Sequence, residues 1–475
     1  MAGPCISDMT ARRAAPLFGG AALLLVLTLG LYWPGYATYD SVVQYGQVLA
    51  GRYDDWHPPA MARLWALLGG APFGTAPMFL LQTGLYWLGL GLLAVRLGLN
   101  GRWRAGWATL ALGLLPPVLG WQVAVLKDAQ MLGAMVAAAG LVAWWRLDAR
   151  ALPPAARGAV ALLLLYATLV RANAVFAVAP FAVLLLPRPH GWIMRIALTG
   201  AVTLIALAAM PIVNRDLLRA QASGVQRSQA IYDLAGIAVH DRTDMSAAAR
   251  LLRAERCWTP FYWDDLGEGR CERAVRRLET MPTGALYRLL AIAVLRHPVA
   301  YARARLAHLN STGRWLVPRG WPNAAPPAAS EPARDGLAAP GAMAGAVQGW
   351  LGLFSDTPPA WPICWLAVGA LALVTALRGS PTPATRMATA LAASALALEA
   401  SFAFVSIASD LRYHVWPMLA AELALVLIAG RLTMRPVGIA LALLAAILLP
   451  ASWVRLSRPP AGDPAHWPVP PMAAR

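Results

Sequence analysis

Four short stretches hold the residues whose types and spacing suit proton and phosphate chemistry. The first is Tyr36 to Ala60, in which Asp40, Asp54, Asp55 and His57 follow directly on an apolar run. The others are Lys127-Asp128, Arg171 with Asn173, and Asp410-Leu411-Arg412-Tyr413-His414. Only 13% of the chain is charged, so acids beside long apolar runs need a reason. A carboxylate can take a proton from an acceptor hydroxyl as general base, while lysine or arginine stabilises a departing phosphate. Gathered at a bilayer surface, these groups suit transfer of a group from a membrane-anchored phosphate donor.

Taken singly, each has a plainer reading. Lys127 and Asp128 can pair at a hairpin, Arg171 can snorkel to headgroups, and Arg412 can neutralise Asp410. His57 can ligate a metal, contact phosphate, or merely end a loop before Pro58 and Pro59, which fix an extended approach to the next helix. Asp40, Asp128 and His57 are the candidate ligands for a divalent ion such as Mg or Mn. The sequence leaves the cofactor open.

The elements that must position these groups are membrane helices. With 59% hydrophobic residues in 475 and several apolar runs of spanning length, the chain reads as an all-α polytopic membrane protein. Its +17 charge, 40 basic against 23 acidic residues, sits in short caps between the apolar runs, as orientation in a bilayer requires. No aromatic-interleaved basic surface or zinc spacing accompanies it, so nucleic acid is not an expected partner.

Arg12-Arg13 precede the first run, which reads as an uncleaved helix with its amino end inside. Spans are expected near 17–33, 76–97, 106–125, 129–145, 158–170, 174–187, 196–213, 361–378, 387–409, 415–430 and 437–454, eleven in all. Alternate connections carry the arginines: 96, 102 and 104, then 146, 150 and 157, then 188 and 195, then 378 and 386, then 431 and 435. The run 158–187, interrupted only by Arg171-Ala172-Asn173, reads as two helices, because one long helix would reverse that alternation. On this topology the four chemical stretches share the outer face.

The expected organisation is an amino-terminal membrane module over 1–213 with a first outer loop at 34–75, then an outer, mainly helical region over 214–360, then a carboxy-terminal module over 361–454 and a proline-rich tail over 455–475. Within the outer region Ser246 to Arg256, Cys271 to Glu279 and Gly284 to Arg296 read as helices, and 317–343, rich in Pro and Ala, as a flexible linker. The stripe Leu286, Leu289, Leu290 and Ala293 suits a helix on the membrane surface or one packed in a subdomain. Cys257 and Cys271 have no metal-ligand partner at the right spacing, so a disulfide in an oxidising compartment is the expected pairing, with two free thiols as the alternative.

An aspartate shortly after the first span, followed by the segment Asp54-Asp55-Trp56-His57-Pro58-Pro59 and by Lys127-Asp128 opening the fourth span, resembles the GT-C class of polytopic glycosyltransferases. Protein O-mannosyltransferases and lipid A aminoarabinose transferases are the most similar groups within it. The resemblance covers the architecture and about the first 130 residues, with the Arg412-Tyr413-His414 turn as a weaker echo. It implies a polyprenyl-phosphate sugar donor, a catalytic acid at Asp40 and a second acidic position at Asp128. A single Asp40 followed by Ser41 stands where some members carry an acidic doublet, so the later pair Asp54-Asp55 stays a candidate for the base.

The expected function is therefore transfer of a sugar to an acceptor on the outer side of a bacterial inner membrane, the acceptor being a surface glycan, lipopolysaccharide, lipid or protein. His57, Asp54, Asp55, Lys127, Arg171, Asn173, Arg412 and His414 are the candidate substrate contacts. A lipid-linked-sugar flippase, which would carry charge near mid-membrane, and a non-catalytic envelope scaffold are the competing readings.

Overall fold

The computed structural model describes residues 5–186, with side chains from Ala14, and residues 191–241, 257–263, 266, 271–331 and 336–462. Every regular element among them is a helix. The amino-terminal part comprises α1 (Cys5–Tyr32), α2 (Tyr39–Ala50), α3 (Ala60–Leu67), α4 (Gly70–Phe73), α5 (Ala76–Leu99), α6 (Trp103–Leu112), α7 (Pro116–Gln122), α8 (Lys127–Arg146), α9 (Pro154–Val170), α10 (Val175–Leu184) and α11 (Trp192–Ile212). Next come α12 (Ser228–His240), α13 (Glu272–Glu279), α14 (Thr283–Arg296), α15 (Pro298–Thr312) and α16 (Ala342–Gly352). The carboxy-terminal part holds α17 (Pro362–Leu377), α18 (Pro383–Ser401), α19 (Val415–Ile428) and α20 (Met434–Ser457).

All eleven expected apolar stretches contain helix, yet among the described residues five helical segments have both the length and the apolar composition to cross a bilayer: Ala14–Tyr32, Ala76–Leu99, Trp192–Leu217, Leu411–Arg431 and Met434–Ser457. The difference has a physical reason in α8. It is rich in Ala and Gly, and fifteen of its twenty residues are buried against other helices. A helix surrounded by protein needs small side chains for close approach more than it needs hydropathy. By contrast only 6% of the apolar window of α11 and 11% of that of α20 is buried, so these two present leucine and isoleucine outward.

Helix α8 sits at the centre, against α5 and α9, while α18 packs on α10, α17 and α19. The α5/α8 crossing is a backbone contact. A Cβ on Gly140 would stand 2.3 Å from the Gly89 carbonyl oxygen, one on Gly89 2.2 Å from that of Val136, and one on Gly133 2.7 Å from that of Gln82. Only glycine permits this, and the crossing fixes the axial position of α8 and hence of its first residues.

Four expectations change. The stretch 106–125 is not one helix, because α6 ends at Leu112 and α7 opens at Pro116; Pro116 and Pro117 can begin a helix but cannot continue one. The segment 34–75, expected as the first outer loop, is not a plain loop, since it carries α2, α3 and α4. The expected span 387–409 stops at Ser401, beyond which the chain turns until Leu411. The segment 317–331 lacks regular structure but is anchored: Glu331 N donates to Ala37 O, Ala37 N to Ser330 Oγ, and Trp121 Nε1 to Ala324 O. The expected helix Ser246 to Arg256, Arg188 and the tail beyond Gly462 lie outside the described residues.

The run 158–187 divides at Arg171, which is extended (φ −148°, ψ 111°) and leads through a 3-10 turn, Ala172–Ala174, into α10. Helix α14 keeps Leu286 and Ala293 buried against a small core built on α12, with Ile231, Leu234, Trp258 and Val275. The disulfide Cys257–Cys271 lies in the same core.

Candidate functional site

Two extended segments set the site. After α1 the chain passes Gly35 (φ 94°), where a Cβ would strike Phe79 and Val125 at 2.8 Å. It then runs parallel to the segment before α8: Tyr36 N donates to Val123 O at 3.2 Å and Val125 N to Tyr36 O at 2.8 Å. Ser41 Oγ accepts from Thr38 N at 2.9 Å, opening α2, and donates to Val125 O at 2.5 Å. From the other side the Gln82 amide donates to Gln122 O and Ala124 O. The buried backbone of this segment is thereby satisfied, and Asp40 in the first turn of α2 faces Lys127 and Asp128 in the first turn of α8.

Asp40 is 8% exposed. Its Oδ2 lies 3.4 Å from Lys127 Nζ and 3.1 Å from Arg412 Nη1, and its Oδ1 3.9 Å from His57 Nε2. Neither cation is aligned to give Oδ2 a hydrogen bond, and this buried oxygen has no other donor. Burial raises the Asp40 carboxyl, but Lys127 and then Arg412 outweigh it and hold it well below the usual carboxylate range. Lys127 Nζ also stands 2.7 Å from His57 Nδ1. Burial, then Lys127, drives the His57 imidazole down to about 3, against the pull of Asp40, so the ring is neutral near pH 7.

Arg171 pairs with Asp128 through Nη1 and Oδ1, and its Nε donates to Asn173 Oδ1 at 2.7 Å. Asp128 Oδ2, also buried without a hydrogen bond, is 3.9 Å from Arg412 Nε. Arg412 further reaches Asp410 Oδ2 at 3.0 Å through Nη2, while Asn323 Nδ2 donates to the other oxygen of Asp410 at 2.5 Å. The Tyr413 ring lies under the Arg171 guanidinium at 4.1 Å and near that of Arg412 at 5.5 Å. Three cations and three carboxylates thus meet around one point, from α2, α8, the α9/α10 break and the turn before α19.

Asp40, His57, Lys127, Asp128, Arg171 and Arg412 come together, with Asn173 beside Arg171. Asp54, Asp55 and His414 do not join them. Asp54 accepts from Gln47 Nε2 and from Trp56 N, both at 3.0 Å, closing its own loop. Asp55 accepts from Arg215 Nε at 2.8 Å, Ser223 N at 2.6 Å and Ser223 Oγ at 2.7 Å, and so ties the segment 34–75 to the chain after α11. His414 turns inward: its Nδ1 is 2.8 Å from Glu399 and its Nε2 2.9 Å from Thr312. Sequence reasoning passed over Tyr413 and Asn323. The pattern Asp410-Leu411-Arg412-Tyr413 places an aromatic ring beside the arginine, whereas nothing near Asn323 in sequence points to a role.

The donor set does not suit a divalent ion. Asp40 and Asp128 already face Lys127, Arg171 and Arg412 at ion-pair distance, and among the described residues no group of three or more His, Cys, Asp and Glu side chains stands together to hold a metal. Neither family models nor curated proteins match the chain.

Proposed function

We propose that this chain is a polytopic glycosyltransferase of the bacterial inner membrane, of about eleven spans and GT-C-like, that moves a sugar from a polyprenyl-phosphate donor to an acceptor on the outer side. One observation carries the reading: a buried Asp40 oxygen, lacking a hydrogen bond, lies between Lys127 and Arg412. An acceptor hydroxyl supplies the donor that this oxygen lacks. The cations around it match the charge of a phosphate. An apolar groove of about 500 Å³ at the same end of the chain's helices, lined by Trp33, Leu68, Phe73, Pro77, Leu80 and Leu81, offers a surface for a hydrocarbon chain.

In this reading Lys127, Arg171 and Arg412 turn from the carboxylates to the donor phosphate when it binds. That exchange removes the charges that depress Asp40 and raises its basicity. The acceptor hydroxyl then loses its proton to Asp40 as its oxygen bonds to the anomeric carbon. The bond from that carbon to the phosphate oxygen breaks, and its electron pair leaves on polyprenyl phosphate, where the cations stabilise it. His57, neutral and held by Lys127, orients the ammonium.

The test is turnover of radiolabelled polyprenyl-phosphate sugars by purified protein with an envelope acceptor fraction. Wild type should release polyprenyl phosphate, and Asp40→Asn should be slower by about 10²- to 10⁴-fold while eluting as the same folded species. Undiminished turnover in that variant removes Asp40 from the role. Glu422 favours the flippase reading: it is buried within α19 and its Oε2 has no hydrogen bond. Flipping of a fluorescent lipid-linked sugar that stops in Glu422→Gln, without sugar release by wild type, would select that function.

A further inference from the structure

A second cationic site lies at the other end of α8. This helix has twenty residues and rises roughly 28 Å from Lys127 to Arg146 at 1.5 Å per residue, close to the thickness of a bilayer's hydrocarbon core. At its far end Arg146 lines a cavity of about 500 Å³ together with Arg195 of α11 and Arg386 of α18. Three arginines from three helices thus line one space, Arg195 with its Nη1 donating to Leu184 O at 2.9 Å. Among the described residues no aspartate or glutamate lines it. The acid next in sequence, Asp148, is engaged with Arg96 at 2.7 Å and Arg150 at 3.4 Å. Thr385 and Thr389 add polar atoms at the wall, and Leu377, Leu185 and Trp192 make the remainder apolar.

The surrounding packing gives this cavity an open flank. Helix α11, which supplies Trp192 and Arg195 to the cavity wall, leans principally on α10, and only 6% of its apolar window is buried, so exposed apolar helix surface begins at the cavity. Orienting a chain requires arginines near a membrane face but not their convergence on one cavity. Convergent cations beside an exposed apolar helix surface match a molecule with a phosphate head and hydrocarbon tails.

We infer that this cavity binds the headgroup of an anionic phospholipid, with the phosphate among Arg146, Arg195 and Arg386 and the acyl chains along the exposed apolar surface of α11. The site is separate from the Asp40 cluster and does not depend on the transferase reading. A free phosphate shares the headgroup's chemistry, and the exposed apolar surface of α11 favours the lipid.

The experiment places full-length protein in nanodiscs of phosphatidylcholine containing about one-tenth phosphatidylglycerol, a proportion that leaves lipid selection visible, and counts retained lipids by native mass spectrometry. Wild type should keep phosphatidylglycerol in preference to phosphatidylcholine. The double variant Arg146→Gln/Arg386→Gln should lose that preference by about thirtyfold, two arginine contacts of ordinary strength, and the corresponding pair of lysines should restore part of it. Equal retention by wild type and the double glutamine variant overturns the proposal. Displacement of the lipid by millimolar inorganic phosphate overturns the lipid assignment. If the double variant does not fold, Arg386→Gln alone, at an exposed position, must lower retention about fivefold, and unchanged retention there overturns the proposal equally.

Discussion

The Lys127 ammonium and the His57 imidazole are joined by a hydrogen bond of 2.7 Å between Nζ and Nδ1. An ammonium can only donate, so Nδ1 accepts and the ring proton resides on Nε2, which faces Asp40 at 3.9 Å. A base, a neutral ring and a cation are thereby locked in one mutual arrangement, and their titration is shared.

That arrangement dictates an acid sensitivity. An unfolded histidine titrates at about 6.5, whereas His57 is held down at about 3. Between those values the unfolded chain binds a proton that the folded chain refuses. Stability is therefore fully present above about pH 6.5 and falls as the pH is lowered through this window. Asp40, depressed in the fold, contributes above the ordinary carboxylate range and loses its share only in stronger acid. The melting temperature in detergent should drop more steeply between about pH 7 and pH 4.5 for wild type than for His57→Gln. Parallel curves would show that the ring titrates alike in both states.

Arg412 serves Asp40, Asp128 and Asp410 from one planar group while lying beside Tyr413. Lysine keeps the charge but lacks the fork and the flat face. Arg412→Lys is expected to lower kcat/KM for the lipid-phosphate donor by about tenfold or more, on the order of one lost charge-assisted contact. A turnover equal to wild type would show that only net charge matters there.

The backbone contact of α5 with α8 predicts an unusual cost for a methyl group. Gly140→Ala places a Cβ against the Gly89 carbonyl, so the helices must part, at about 1–3 kcal/mol. Gly158→Ala is the control: beyond its own stretch of helix no described atom lies within 4 Å of the new Cβ, and alanine favours helix α9. Thermal unfolding should separate the two in opposite directions. Since α8 carries Lys127 and Asp128, Gly140→Ala should also impair turnover more than its stability loss explains.

Much of the cluster was legible in the sequence because orientation alone sorts charges by face. Asp40, Lys127, Asp128, Arg171 and Arg412 stand at ends of apolar stretches that the alternating arginines assign to one side, and they do meet. The pairs that misled are those whose direction depends on one or two dihedrals. Asp54 and Asp55 sit as near to His57 in sequence as a site would require, but the loop aims Asp55 at Ser223 and Arg215. His414 is two residues from Arg412, yet the 3-10 turn between them sends it to Glu399. The division of α6 from α7 was readable at Pro116-Pro117. The burial of α8 was not, since an alanine-rich helix of modest hydropathy shows its central place only through its neighbours.

Residues 317–331 show how far composition can mislead about expendability. A proline- and alanine-rich stretch ordinarily marks spare length, where tags and insertions are tolerated. Here Asn323 grips Asp410, and Ser330 and Glu331 are fastened to Ala37, three positions before Asp40. The distance between those two fastenings is a dimension of the site. Adding or deleting residues between 323 and 330 would change the spacing of its parts, so this unassuming segment is the place where an engineer should least expect freedom.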